Sequence, residues 1–155
     1  MAAPDKPAKH PIFPPFYFLG AVALMLALDH FLPVLVLFEP PVTYLGWLPF
    51  GLAVAVALAV NGRFKRAGTT IKPFETSHAL VTDGVFAFSR NPIYLGMTVG
   101  LLGLFLALGS LSPLAVVPPF VYVIRTRFIA VEEQMLEAAF GEAYRDYRAR
   151  VRRWL

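Results

Sequence analysis

Two adjacent carboxylates, Glu132 and Glu133, follow two arginines, Arg125 and Arg127, at the end of an apolar stretch. Carboxylates and guanidiniums within two turns of a helix can pair, and such a pair can be purely structural. It can also belong to a binding site, because an arginine at a membrane face holds anionic groups and a carboxylate holds ammonium, sulfonium or ribose hydroxyl groups. The arginines have a second interpretation, in which their side chains extend to lipid headgroups.

A second group of polar residues lies in the long segment 61–91. Its single histidine, His78, would by default be a surface or structural residue. An Asp-Gly pair ending at Gly84 predicts a tight turn. The aromatic-rich stretch after this turn leads to Asn91 and Pro92, which predict the start of a helix with the asparagine as its cap. Long segments without a clear helix are often functional in small proteins.

The elements that must position these residues are hydrophobic helices. The chain has 155 residues, of which 57% are apolar and only 15% charged, and no cysteine. This composition excludes disorder, a disulfide framework, a cysteine nucleophile and a thiolate metal site, and it is unusual for a water-soluble domain. No metal ligand set is predicted. Apolar runs of membrane-spanning length predict four transmembrane helices at about 15–38, 44–60, 92–108 and 113–128.

The charges predict how these helices cross the membrane. All fourteen Lys and Arg residues fall in three blocks, near the N-terminus, in segment 61–91, and from Arg125 to Arg153. The positive-inside rule therefore places both termini and the 61–91 loop in the cytoplasm. The net charge of +4 follows from these loops, so nucleic-acid binding is not expected. Apolar residues at three- and four-residue steps predict an amphipathic cytoplasmic helix over 132–151.

The spacing of these residues resembles a known pattern. The first half of the pattern is His78-x-Leu80-Val81-x-x-Gly84-Val85-Phe86-x-x-x-Arg90-Asn91-Pro92-x-Tyr94-x-Gly96. The second half is Glu132-Glu133-x-x-Leu136-x-x-x-Phe140-Gly141-x-x-Tyr144-x-x-Tyr147-x-x-x-Val151-x-Arg153. Together they resemble the isoprenylcysteine carboxyl methyltransferase and phospholipid methyltransferase superfamily, over residues 70–153.

The resemblance implies a single all-α integral membrane methyltransferase domain. Its cofactor would be S-adenosylmethionine, leaving S-adenosylhomocysteine as product, at the cytoplasmic ends of the helices. A lipophilic or lipid acceptor would enter from the bilayer. Carried over by matching positions, the cofactor site would comprise His78, Leu80, Gly84, Phe86, Asn91, Pro92, Tyr94 and Glu133. The acceptor would lie near Glu132, Arg125 or Arg127, which are the candidate catalytic residues.

Three departures from the family pattern bear on the acceptor. Phe86 stands where tyrosine is common, and Asn91 stands where the prenylcysteine branch usually has histidine. Arg127 lies five residues before Glu132, where four are expected of that branch. Lipid amines, prenyl-chain carboxylates, thiols and phenols therefore all remain candidate acceptors.

Two other functions compete with methyl transfer. Sterol-reductase-like membrane enzymes have a related Arg-x-Pro-x-Tyr-x-Gly and Glu-rich helix pattern and bind NADPH, although this chain is short for holding a sterol. The chain could instead be a non-catalytic membrane scaffold, which would bind neither nucleotide.

Overall fold

The computed structural model describes residues 13–66 and 79–155, with side chains omitted for 63–66. The described residues form helices joined by short turns, as predicted for an all-α protein. The helices are α1 (Pro14–Phe31), α2 (Trp47–Arg66), α3 (Pro92–Leu108), α4 (Val117–Ile124) and α5 (Ala130–Arg150). Short 3-10 turns cover Val42–Gly46, Gly84–Ala87 and Ser112–Val116.

The first predicted span is too long. Helix α1 ends at Phe31 and not at residue 38, because Pro33 follows and restricts Leu32, which has φ −143° and ψ 60°. The chain beyond it is extended instead. The amides of Leu37 and Phe38 donate to the Gly109 carbonyl at 2.8 and 3.1 Å.

The second span also differs from its prediction. Helix α2 begins at Trp47 after the 3-10 turn and continues to Arg66, six residues beyond the predicted end at residue 60. The cytoplasmic loop therefore does not begin at residue 61. The bounds predicted for the third helix, 92–108, are those of α3.

The fourth span and the C-terminal helix are one continuous helix, which corrects their prediction as separate elements. Residues 112–150 run through the 3-10 turn, α4, a π-helical turn (Arg125–Ile129) and α5. No proline or glycine lies between Pro119 and Gly141, so nothing in the sequence ends the helix there. Helix α5 bends at Gly141, whose φ of +54° lies in the left-handed region.

Small residues bring α2 and α3 together. A Cβ added to Gly103 would lie 2.6 Å from the Gly46 carbonyl oxygen, so the two backbones touch there. Gly96 and Gly100 face Ala53 at ordinary contact distances. The small residues of α3 therefore form a packing surface for α2 and the turn before it.

Within residues 13–66 and 79–155, three helical stretches are long and apolar enough to cross a membrane: Pro14–Phe31, Val42–Gly62 and Ser112–Arg150. Helix α3 is also apolar but has only 17 residues. Most of the large side chains on α1 and α2 that face away from the protein are apolar, among them Phe16, Leu19, Leu48, Leu52 and Leu58. Such a surface suits lipid contact.

Candidate active site

The described part of the 79–91 loop packs against α5. Gly84 adopts φ +61° and begins the 3-10 turn, as its predicted tight turn requires. Phe86, in the same turn, is 8% exposed. Its backbone carbonyl oxygen accepts a 2.7 Å hydrogen bond from the Tyr147 hydroxyl. Leu80 packs, partly buried, against the same cluster of Phe86, Tyr144 and Tyr147. His78 lies outside the described residues.

The chain after α5 folds back over the start of α3. The Asn91 side-chain amide donates to the Arg153 carbonyl at 3.0 Å, and the Ser89 hydroxyl donates to the same oxygen at 3.4 Å. The Arg90 amide donates to the Arg152 carbonyl at 3.0 Å. Loop, α3 and the segment following α5 are thus joined at one place.

This arrangement corrects one local prediction. Asn91 is the N-cap residue of α3, but its side chain makes no capping hydrogen bond. Pro92 has no N–H to satisfy, and the Asn91 amide group is committed to Arg153. The tertiary contact replaces the local one.

Glu133 lies at the centre of an ion-pair cluster. Arg153 donates from Nε to Oε1 at 3.0 Å and from Nη2 to Oε2 at 2.6 Å, which is the bidentate geometry that guanidinium and carboxylate favour. Arg90 Nη1 lies 3.2 Å from Oε1. The hydrogen bonds to Glu133 raise the pKa of the Arg153 guanidinium. Glu133 itself is buried, so the cluster is a fixed feature of the fold.

Arg90 is the most enclosed member of the cluster. Its side chain is 9% exposed, and Nη1 also donates to the Tyr144 hydroxyl at 3.3 Å. Its Nε is buried and has no hydrogen-bond partner among the described residues. Buried guanidinium donors normally have acceptors, and the described part of the chain supplies none to this atom.

Glu132 has a different partner. The Tyr94 hydroxyl donates to Glu132 Oε1 at 2.7 Å, which connects α3 to the first turn of α5. The Tyr94 ring is buried and lies 6.4 Å from the Phe128 ring, centroid to centroid. This contact fixes one carboxylate oxygen of Glu132 at the end of the apolar core.

Arg125 and Arg127 are exposed and do not reach the glutamates. Within the described chain, the ion pairs of Glu133 come from Arg90 and Arg153 instead. Both exposed arginines lie on the π turn, which contains one residue more than an α-helical turn. The extra residue changes the direction of Arg127 around the helix axis by about 100°. Arg127 therefore takes the angular position, relative to Glu132, that a residue four positions earlier would have in a regular helix. The π turn thus accounts for the five-residue spacing between Arg127 and Glu132.

An apolar cavity of about 160 Å³ lies between α2, α3 and the loop that precedes α3. Its lining includes Leu52, Val56, Val85, Phe88, Pro92 and Leu155. The cavity reaches the loop and the start of α3 at one end, and its walls would accept a hydrocarbon chain.

The structure brings Phe86, Asn91, Pro92, Tyr94, Glu132 and Glu133 into one region, joined by the hydrogen bonds described above. Two residues of this region were not among the predicted site residues: Arg90 and Arg153. The order of the sequence gave one signal for Arg90, which directly precedes the Asn-Pro pair. Arg153 is the last residue of the second half of the quoted pattern, and that position was the signal that could have singled it out.

Comparisons with known proteins agree with the family resemblance. The family model described as "Phospholipid methyltransferase" matches residues 41–143. Protein-S-isoprenylcysteine O-methyltransferase of Schizosaccharomyces pombe is 34% identical over 74 residues, which cover 48% of this chain and 31% of that protein. An uncharacterized protein of Haemophilus influenzae is 47% identical over 64 residues, which cover 41% of this chain and all of that protein.

A solved structure supports the fold. The eukaryotic intramembrane Ras methyltransferase, isoprenylcysteine carboxyl methyltransferase, superposes with a TM-score of 0.50 at 24% identity, covering 88% of this chain and 50% of the other. This chain therefore spans about a third of its yeast relative and half of the solved enzyme. The apolar helices and this likeness describe a multi-pass integral membrane protein. Since the family model covers well over half of the sequence, the chain belongs to the phospholipid methyltransferase family.

Proposed function

We propose that the protein transfers a methyl group from S-adenosylmethionine to a lipophilic acceptor at the cytoplasmic face of a membrane. The observation that carries the proposal is the direct contact between the loop before α3 and the start of α5. The Tyr94–Glu132 hydrogen bond and the Arg90–Glu133 ion pair hold the two halves of the family pattern together.

The residues at this junction fit S-adenosylmethionine. The ligand carries an ammonium, a carboxylate, a sulfonium and ribose hydroxyls. Glu132 and Glu133 supply hydrogen-bond acceptors. Arg90 Nε is a buried donor to which no described residue offers an acceptor. Leu80, Gly84, Phe86, Asn91, Pro92, Tyr94 and Glu133 are the described residues that would hold the cofactor, and His78 would complete the set. When bound, the cofactor supplies an electrophilic methyl on a sulfonium.

The protein's own part in such a transfer is positioning and the exclusion of water. A carboxylate acceptor needs no base, and Arg125 or Arg127 would hold it from the exposed side of the helix. An amine acceptor must lose a proton, and Glu132 is the available base. The Tyr94 hydroxyl occupies one Glu132 oxygen and leaves the other able to take that proton.

The apolar cavity between α2 and α3 supports a lipophilic acceptor. Ser89 and Pro92, which flank Arg90 and Asn91 in the chain, are part of its lining, which is almost entirely hydrocarbon. An alkyl or prenyl chain in this cavity would keep its polar end near the cluster. The substrate class proposed here is therefore a lipid or a small molecule with a hydrocarbon tail.

We propose that four helical segments cross the membrane with both termini in the cytoplasm. The short α3, about 25 Å long at the standard rise, would need local thinning of the bilayer. Because the chain has no cysteine, single cysteines at Val34 and Arg150 can be labelled with an impermeant maleimide. Labelling of Val34→Cys from outside and of Arg150→Cys only after permeabilisation would support this topology, and the reverse would overturn it.

Ligand titration separates the proposal from its two rivals. The detergent-purified protein should bind S-adenosylhomocysteine and not NADPH, whereas a reductase would bind NADPH and a scaffold neither. Incubation with methyl-labelled cofactor and a lipid extract would then identify the acceptor by the labelled product. Absence of both S-adenosylhomocysteine binding and labelled product would refute methyl transfer.

A further inference from the structure

Two large apolar side chains are exposed in the cap, which is the loop 84–91 together with residues 151–155. Hydrogen bonds at the start of α3 join these two segments. Phe88 is 76% exposed and Leu155 is 71% exposed. In the described chain, the other large apolar side chains that are more than 60% exposed belong to the apolar helical stretches or to the segment after α1. The cap thus shares an exposed apolar surface with the helices that face lipid.

Both side chains are held in place by neighbouring residues that pack inward. The amides of Phe88 and Ser89 donate to the Val85 carbonyl at 3.3 and 3.2 Å, and Ser89 is buried. Trp154, directly before Leu155, packs against the core formed by α1, α3 and α4. The exposure of Phe88 and Leu155 therefore belongs to fixed backbone. Leaving both side chains in water is unfavourable, so an apolar surface that covers them stabilises the cap.

The cap lies level with one end of α3. The Arg90 amide donates to the Arg152 carbonyl at 3.0 Å, and the Asn91 side chain donates to the Arg153 carbonyl at 3.0 Å. Helix α3 begins at the next residue, Pro92. In the proposed topology this is the cytoplasmic end of α3, so the cap lies where the inner leaflet meets water.

The exposed pair is continuous with the apolar surface of α2. Phe88 and Leu155 both line the apolar cavity, whose wall on α3 runs from Pro92 to Val99, about 10 Å at the standard rise. Leu52 of α2 lines the same cavity and is 59% exposed. The cavity lining contains no charged residue. An apolar surface therefore extends from Leu52 to the cap.

Two exposed arginines, Arg150 and Arg152, precede Leu155 in the chain. Neither has a carboxylate within ion-pair distance among the described residues. Arg150 Nε donates to the Asp146 carbonyl at 3.3 Å, whereas Arg148 pairs with the Glu137 carboxylate at 3.0 Å. Arginines beside apolar anchors are typical of surfaces that bind phospholipid, because the guanidinium meets phosphate while its stem and the anchors contact hydrocarbon.

We propose that Phe88 and Leu155 insert among the acyl chains of the cytoplasmic leaflet, with Arg150 and Arg152 at the level of the lipid phosphates. The cap then rests on the membrane, and the apolar cavity opens into lipid and not into water. Phospholipid is the partner that matches both the apolar pair and the arginines without carboxylate partners. This inference rests on the proposed topology and is independent of methyl transfer.

Fluorescence quenching on the full chain tests the insertion. Because the chain has no cysteine, Phe88→Cys and Leu155→Cys can each carry one bimane label in phosphatidylcholine nanodiscs, which expose both membrane faces to water. Lipids brominated along their acyl chains should quench most of the fluorescence at both sites, and aqueous iodide should quench little. Leu58→Cys, on the exposed surface of α2, is the control for lipid contact. Glu142→Cys, at an exposed position of α5, is the control for water contact.

Reversing the charge of one arginine tests the contact with phosphate. In Arg152→Glu, repulsion between the new carboxylate and the lipid phosphates should lift the segment. The bimane at residue 155 should then lose quenching by brominated lipid and gain quenching by iodide. Arg148→Glu is the matched control, because Arg148 pairs with Glu137, and it should leave both kinds of quenching unchanged. Unchanged quenching in Arg152→Glu would overturn the role given to the arginines.

Two further results would overturn the insertion. Quenching of both labels by iodide and not by brominated lipid would place the cap in water. Protection from both quenchers would mean that protein, from this chain or a partner, covers the pair. Both side chains are exposed, so their replacement removes little packing, and Leu155→Cys decides alone if Phe88→Cys does not fold. The maleimide labelling described above decides the topology separately, so a wrong leaflet and a failed insertion give different results.

Discussion

Glu132 and Glu133 are adjacent in sequence but have different environments. Glu133 is enclosed by two guanidiniums, and Glu132 faces a tyrosine hydroxyl on α3. Guanidinium donors already occupy both oxygens of Glu133. Glu132 has no such positive partner among the described residues. The proposed function therefore gives the two residues different tasks, with Glu133 organising the proposed cofactor site and Glu132 serving the acceptor.

Replacing Glu133 by alanine should abolish S-adenosylhomocysteine binding. The change removes the group that holds Arg90 and Arg153, and it leaves Arg90 buried without a counter-charge, which costs about 3–5 kcal/mol. We expect calorimetry to detect a loss of about 100-fold or more. Glu137→Ala, whose parent carboxylate pairs with Arg148 on the exposed face, is the control and should bind normally. Unchanged affinity in folded Glu133→Ala would refute the assignment.

Replacing Arg127 by alanine should reduce turnover more than cofactor affinity. Arg127 is exposed on the π turn and does not contact the Glu133 cluster. If it holds the acceptor, methyl transfer to the identified acceptor should fall by about 10-fold or more, since hydrogen bonds to charged groups contribute about 1.5–3 kcal/mol. The dissociation constant of S-adenosylhomocysteine should change less than twofold. A variant with full turnover would show that Arg127 serves only the lipid headgroups.

At the residue scale, the sequence named several residues that the structure brings together but not all of their long-range partners. Asn91, Tyr94, Glu132 and Glu133 were named through the family resemblance, and all four lie in the junction. Arg153 was missed because its contact with Glu133 depends on how the chain turns after α5. The residue types near Arg153 do not predict that turn. The prediction that the Asn91 side chain caps α3 was wrong, because that side chain donates to the Arg153 carbonyl instead.

Among the elements, the π turn has the most direct bearing on the site. It lies between the apolar helix and the glutamates, where the Thr126 hydroxyl donates to the Tyr122 carbonyl at 2.8 Å. Single π turns of this kind occur frequently at functional sites. Here the turn sets which face of the helix presents Arg127 relative to Glu132.

Deleting Thr126 should convert the π turn into a regular α-helical turn. The helix on either side would keep its buried faces, since the deletion removes only the inserted residue. We expect a similar melting temperature, unchanged S-adenosylhomocysteine affinity and reduced turnover. Deleting Ala139 from regular helix is the control and should destabilise the protein, because it rotates Tyr144 and Tyr147 away from the loop. Full activity after the Thr126 deletion would contradict a role for the π turn.

The contact of α2 and its preceding turn with α3 depends on glycine at one position. In Gly103→Ala, the new Cβ would lie 2.6 Å from the Gly46 oxygen and 2.8 Å from Pro49 Cγ, so the helices must separate. We expect a loss of about 1–3 kcal/mol of stability, measured as a lower melting temperature in detergent. Gly51→Ala is the matched control, with nothing within 4 Å of the new Cβ, and should be neutral. Equal melting temperatures for both variants would show that this contact is loose.

Helix existence was predictable from apolar runs, and the bounds of α3 were predicted correctly because a proline and a glycine mark its ends. The predicted helix bounds were wrong where the proline and glycine signals conflicted with hydrophobicity or were absent. Hydrophobicity continues from Phe31 to Phe38, and only Pro33 indicates the stop. No stop signal separates α4 from α5, so a change from apolar to polar residues was wrongly taken as a break. The π turn leaves no signature in composition or hydropathy.

At the scale of the whole molecule, the two halves of the family pattern come together through the segment that follows α5. Helix α3 and α5 contribute Tyr94 and Glu132, while residues 151–154 bind both the loop and Glu133. The bend at Gly141 lies between the glutamates and the tyrosines that contact the loop. The site is therefore built from elements about 60 residues apart in sequence, which is why spacing alone indicated its members but not their contacts.

Hydrogen exchange on the purified protein tests the central claim most directly. If one cofactor molecule contacts both halves of the pattern, adding S-adenosylhomocysteine should slow amide exchange in residues 84–95 and in the first turns of α5 together, with the same concentration dependence. The outer turn around Gly109 should not change. Protection of only one of the two segments, or of neither at saturating ligand, would contradict the account.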